Sequence, residues 1–395
     1  MSEPAAAHRA RLRPEDASHL DIDKLIESAQ TRVIVCCGAG GVGKTTTSAS
    51  IALRAAEAGR RVVVLTIDPA KRLAQSLGIE ELDNTPREVT GVAGDAGGEL
   101  FAMMLDMKST FDEIVLEHTT PEKAQQIFDN PFYQTLSSSF AGTQEYMAME
   151  KLGQLVAKDE WDLVVVDTPP SRSALDFLDA PERMARFLDG KVLKVLLAPA
   201  RSGGRGALKL VSAGMGMFSR VLTKIIGGEV LRDISAFVGA LDTMFGGFRA
   251  RAEATYNLLR QPGTSFVVVA TAEPDALREA SYFVERLVGE HMPLSGVVMN
   301  RAHYSHAPEL SARRARKYAD QLWPEDVEPT EDGALAAAAL RVHAERVELT
   351  MREQKLTDRF VKAHPEVALG EVEALPRDAY DLADLRDIGD RLATP

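Results

Sequence analysis

The chain has 395 residues, 45% of them hydrophobic and 26% charged, with a formal net charge of −12. That balance suits a soluble globular protein with a large core, and an acidic surface disfavours nucleic acid or bulk membrane as a main partner. The two cysteines, Cys36 and Cys37, are adjacent, which excludes a disulfide framework and any CxxC zinc site within one chain.

Residues 1–20 have no apolar core of signal-peptide length and read as a mobile tail. No window approaches 18 uninterrupted apolar residues, so no transmembrane helix or direct membrane insertion is expected, and the expected location is cytoplasmic. From there, short β-branched runs recur, each followed by a longer helical pattern. They lie at 32–37 (RVIVCC), 61–67 (RVVVLTI), 100–106, 162–167 (DLVVVD), 265–271 (SFVVVAT) and 294–300 (LSGVVMN). These runs are nearly continuous in apolar residues rather than alternating, as strands buried on both faces are. The expected fold is therefore α/β, a doubly wound and mostly parallel sheet. Gly59 ends the helical pattern after 51–58 as a C-cap.

Two intervals lack strand signals, about 109–156 and about 180–259, and read as a helical subdomain built from insertions. Within the second, residues 210–228 (LVSAGMGMFSRVLTKIIGG) are rich in Met, Gly and large aliphatics. Met215, Met217, Phe218 and Met244 suit either an apolar client or, more commonly at helical spacing, the core. The expected organisation is a tail over 1–20, one main domain over 21–350 with those insertions, and a C-terminal segment over 351–395 packing back on it. The eight histidines form no ligand-spaced cluster.

Chemistry concentrates after the first strand. Gly38-Ala39-Gly40-Gly41-Val42-Gly43-Lys44-Thr45 fits GxxxxGK[ST] between an apolar strand and an Ala-rich helix. Glycines at Gly38, Gly40, Gly41 and Gly43 let the backbone turn tightly, so that N–H groups from Gly40 through Val42 to Thr46 aim at phosphates, and the helix N-terminus adds positive potential. Lys44 is expected to reach the β- and γ-phosphates and Thr45 to ligate Mg²⁺. A second strand ending in a carboxylate should share that metal. Leu163-Val164-Val165-Val166-Asp167 does so, which makes Asp167 the expected magnesium holder, acting through a water.

With those residues, the chain resembles the ArsA-like family of P-loop ATPases, which includes arsenite-pump ATPases and ATPases that target tail-anchored membrane proteins. The resemblance runs from about residue 31 to about residue 385. It is carried by GGVGKTTT at 40–47, by Thr66-Ile67-Asp68-Pro69-Ala70 as a first switch, and by Asp167-Thr168-Pro169-Pro170-Ser171 as a second. Ala141-Gly142-Thr143-Gln144-Glu145 and Asn300 add to it. It implies ATP and Mg²⁺ as cofactors and hydrolysis by a dimer that closes over two nucleotides and moves a client-binding helical surface. Asp68 then carries the water-positioning role, with holding a magnesium-bound water or capping a helix as the plainer alternative. Asn300 reads the adenine.

The chain departs from the family pattern at Ala39, where the family has a lysine that crosses the dimer. Three readings follow: pairing with a lysine-bearing relative as a heterodimer, a homodimer in which Arg172 or Lys71 substitutes, or slow hydrolysis in a nucleotide-gated binder. The family's zinc clamp and arsenite site both need cysteines that this chain lacks, so no zinc is expected. Cys36 and Cys37 read as core residues of the first strand. The client, a protein or another hydrophobic species, is not specified by any motif.

Overall fold

The computed structural model describes residues 17–68, 72–92, 96–131, 133–134, 143–169, 250–324, 328 and 330–393. Among them, eight strands form one sheet. In chain order they are β1 (Val33–Gly38), β2 (Arg61–Thr66), β3 (Arg87–Glu88), β4 (Glu99–Met104), β5 (Leu163–Asp167), β6 (Thr264–Ala270), β7 (Leu294–Ala302) and β8 (Leu369–Glu373). The spatial order is β3-β4-β2-β5-β1-β6-β7-β8. Every pairing is parallel except β3 with β4.

Burial explains why six of these strands are continuous apolar runs. Along β1, Val33, Val35 and Cys37 enter one core layer, whereas Ile34 and Cys36 enter the layer on the opposite face. Strand geometry sends successive side chains to opposite faces, so a strand covered on both sides must be apolar at every position. Burying each such Val, Leu or Ile contributes about 1.5–3 kcal/mol. Both cysteines are free and fully buried, and burial pushes the Cys36 thiol up to about 12.

The helices are α1 (Ile22–Glu27), α2 (Lys44–Glu57), α3 (Arg72–Ser76), α4 (Met107–His118), α5 (Pro121–Phe128), α6 (Thr143–Ala157), α7 (Pro274–Gly289), α8 (Ala312–Leu322), α9 (Glu331–Ala363) and α10 (Leu382–Ala393). α2 stops where Gly59 adopts φ 98° and donates its N–H to the Ala56 carbonyl. That left-handed conformation is cheap only for glycine, as expected of the position after a helix cap. The first helical interval contains α4, α5 and α6, and helix also covers residues 250–259. The methionine-rich residues 210–228 and Met244 lie outside the described residues.

The first and last described segments both pack on the main domain. Ser18 and Leu20 exchange backbone hydrogen bonds with Leu369 of β8, and Leu20 is buried. Residues 18–20, at the end of the stretch read as a tail, thus lie against the sheet. α10 lies on α2 through Leu385, Ile388 and Leu392, and Arg54 of α2 holds both Asp23 and Asp390. Residue 350 falls inside α9, which runs unbroken for 33 residues.

Candidate active site

The connections from β1 to β2 and from β5 to β6 run to opposite sides of β1, so the sheet has its topological switch point there. Ligands of open α/β sheets bind in the crevice at the carboxyl ends of the strands beside such a point. Strand register brings the chemistry to that place: Cys36 of β1 and Thr66 of β2 flank Asp167 of β5 as direct partners.

The loop after β1 is shaped by glycines at positions no other residue suits. At Gly38, with φ 150°, a Cβ would lie 2.1 Å from the Val269 carbonyl oxygen of β6. Gly41 and Gly43 adopt φ 78° and 94°. Gly40 and Gly41 are exposed at the loop's crest, and Val42 is buried beneath it. Gly43 is the N-cap of α2, and no side chain caps that helix. The first N–H groups of a helix have no intrahelical partner, so an uncapped N-terminus is a ready anion site. Thr45 and Thr46 are half-buried in its first turn.

Lys44 is buried and donates from Nζ to the Ala39 carbonyl at 2.8 Å. Burial lowers its pKa, and Asp167, Cys37, Asp68 and Glu279 oppose that shift. Asp167 is fully buried. Its Oδ2 accepts from the Thr66 hydroxyl at 2.9 Å, while its Oδ1 has no hydrogen-bond partner. Burial pushes Asp167 up to about 6, against the Thr45 and Thr66 hydroxyls and the Lys44 charge, with Asp68 adding to the rise. A buried ammonium and a buried carboxylate are thus both disfavoured as ions, a cost that an added phosphate and cation would offset.

The orphaned Oδ1 tests whether a divalent ion fits. A buried carboxylate oxygen with no donor, beside the Thr45 hydroxyl, is half of what a magnesium ion takes from a protein when phosphates and water supply the rest. Among the described residues, no group of three or more His, Cys, Asp or Glu converges on a metal position. The donor set fits magnesium.

The switch residues are partly described. Thr168 is buried and donates through its hydroxyl to the Cys36 carbonyl at 2.8 Å. Asp68 is half-buried, and its N–H bonds the Thr66 hydroxyl at 3.2 Å. Pro69, Lys71, Pro170 and Arg172 lie outside the described residues. Asn300 of β7 reaches the loop, donating from Nδ2 to the Val42 carbonyl at 2.8 Å. Ala39 is buried with Val42, Val269 and Ala276 in a small apolar cluster.

The structure adds residues to which sequence reading assigned no role. Thr66 joins Asp167 to Asp68, and its only sequence signal was its place at the head of the first switch motif. Gln144, in the first turn of α6, donates to the Ile67 carbonyl at 3.0 Å. It belongs to the Ala141–Glu145 motif, but no spacing rule links that motif to residue 67. Glu279 of α7, close enough to act on Lys44, left no sequence signal.

A phosphate-cradling glycine turn at the switch point of an open parallel sheet defines the P-loop nucleoside-triphosphatase class. The family model for anion-transporting ATPases matches residues 31–330, and the chain belongs to that family; it is an ATPase. Curated relatives agree. An ATPase named GET3 from Podospora anserina is 24% identical over 316 residues, covering 78% of this chain and 86% of its own length. ATPase ARSA2 of Chlamydomonas reinhardtii is 27% identical over 313 residues, covering 76% of this chain and 78% of its own. ATPase get3 of Schizosaccharomyces pombe is 26% identical over 310 residues, covering 76% and 84%. Among the described residues, no helix is long and apolar enough to cross a membrane.

Proposed function

We propose that this ATPase binds ATP with magnesium at the β1–α2 loop and hydrolyses it within a dimer whose opening and closing handles a protein or hydrophobic client. The observation that carries the nucleotide part is the buried Lys44 and Asp167 pair beside an uncapped helix N-terminus, with Asp167 Oδ1 lacking a partner. Lys44 reaches the β- and γ-phosphates, and the amides from Gly40 to Thr46 bind the same anion. Thr45 and Asp167 hold the magnesium, which neutralises phosphate charge. Asp68 orients the attacking water, because phosphoryl transfer depends mainly on positioning and electrostatics. Asn300 faces the base.

The dimer and client rest on the family resemblance of the switch motifs. Ala39 bears on which dimer. With 7% exposure and apolar neighbours, it offers no cation to a partner's nucleotide. A cation supplied from the partner is worth about 10³–10⁵ in rate in related hydrolases. We favour a mixed dimer in which a lysine-bearing relative serves this chain's ATP. The second reading, favoured by the same alanine, is a low-turnover regulatory subunit gated by nucleotide.

Phosphate release by the purified chain alone tests both. The mixed dimer predicts slow release that accelerates when the lysine-bearing partner is added. Fast release that survives Arg172→Ala and Lys71→Ala removes the need for a partner. Calorimetry with Mg·ATP tests the site itself: no heat of association, and no effect of Lys44→Ala, would overturn the nucleotide reading.

A further inference from the structure

Asn300 follows the buried run Gly296–Met299 of β7, at the carboxyl edge of the sheet where β1 releases its glycine loop. Its amide is engaged at both ends. Nδ2 donates to the Val42 carbonyl at 2.8 Å, and Oδ1 accepts the Arg301 N–H at 3.0 Å. Arg301 has φ 58°, a left-handed conformation uncommon for a residue with a long side chain. An independent feature marks the same contact from the other side. A Cβ at Gly43 would sit 2.1 Å from Asn300 Nδ2, so the glycine admits the asparagine as well as the positive φ of 94°.

From this juxtaposition we infer that Asn300 is a positioning residue for the phosphate loop, clamping the Val42–Gly43 peptide to β7 whether or not a base is bound. The peptide unit is planar and trans, so its C=O and N–H point in opposite directions. Holding the Val42 carbonyl toward Asn300 therefore aims the Gly43 N–H away from β7 and sets the entry of the chain into α2. The inference rests on the nucleotide reading of this site and deepens it. An asparagine amide has two donor hydrogens and two acceptor lone pairs. With one of each engaged in the clamp, one donor and one acceptor remain, the pair with which such an amide bonds adenine. A single side chain then links the base end of the site to the phosphate end, 258 residues apart in sequence.

The test uses the full chain with Asn300→Asp, which keeps the shape and removes the donor, and Asn300→Ala. Two quantities are read: hydrogen exchange of the nucleotide-free protein, and the affinities for Mg·ATP and for Mg·tripolyphosphate, which has no base. A hydrogen bond of this kind contributes about 0.5–1.5 kcal/mol, or roughly 2- to 10-fold. Both variants should speed exchange at residues 42–45 by that factor or weaken tripolyphosphate binding by it, with β6 unaltered. Affinity loss confined to ATP, with exchange at residues 42–45 unaltered, would make Asn300 a base contact alone and overturn the clamp. So would no change in either quantity, or acceleration spread evenly through β6. If the unaltered protein bound neither ligand, the nucleotide reading would fail, while the exchange result would still decide the clamp.

Discussion

The Thr66 hydroxyl donates to Asp167 Oδ2 at 2.9 Å and accepts the Asp68 N–H at 3.2 Å. One side chain thus holds the buried carboxylate and starts the turn that carries the expected water-positioning residue. Thr66→Val keeps the volume and removes both bonds. A hydrogen bond to a charged group is worth about 1.5–3 kcal/mol, so phosphate release should fall by roughly tenfold or more. The magnesium requirement should rise with it, because that bond opposes the rise in the carboxylate's pKa and its loss lets the pKa climb further. Unchanged turnover at saturating magnesium would show that Thr66 is only packing.

Asp167 sets a pH dependence with opposite signs for the empty and the loaded protein. Folded, it keeps its proton up to about pH 6; unfolded, it releases it near 3.8. Between those values the folded state binds the extra proton, so its stability falls as pH rises through this window. The nucleotide-free protein should gain on the order of 2–3 kcal/mol from Asp167 between pH 6 and pH 4, seen against Asp167→Asn in denaturant titrations. Mg·nucleotide binding goes the other way, since the metal must displace that proton. Affinity should decline below about pH 6, and Asp167→Asn should flatten the profile.

Lys44 separates function from stability. Burial lowers its pKa in the empty protein, so its charge costs stability there. Lys44→Met should leave the nucleotide-free melting temperature unchanged or raised, while nucleotide-dependent stabilisation disappears. A melting temperature that fell without nucleotide would mean that the Lys44–Ala39 hydrogen bond outweighs the desolvation.

Gln144 reaches the Ile67 carbonyl from α6, one residue before Asp68. Gln144→Ala should lower turnover roughly 2- to 10-fold, the worth of one hydrogen bond, with nucleotide affinity held within about twofold. Equal losses in turnover and affinity would instead point to a general loosening of the fold.

Six strands could be read from the sequence because each is buried on both faces, which forces an unbroken apolar run. β8 escaped because LGEVE is short and interrupted by charge and lies at the sheet edge, where Glu371 and Glu373 are tolerated beside buried Leu369 and Val372. The two residues of β3 are both exposed and leave no pattern at all. Local chemistry was similarly legible. The glycine spacing of the phosphate loop follows from backbone angles that L side chains rarely adopt, a property of consecutive residues.

The relationships that poise the site were not legible, because they depend on strand order and not on spacing. Thr66 meets Asp167 across 101 residues only because β2 and β5 are neighbours in register. Ala39 is recognisable in the sequence as a missing lysine, but its burial against Val269 and Ala276 follows from α7 crossing beside β6. Sequence alone determined the cradle and the buried strands, since backbone sterics and burial act residue by residue. Only the tertiary structure decided the state of Asp167, because its desolvation and its single bonded oxygen come from segments distant in the chain.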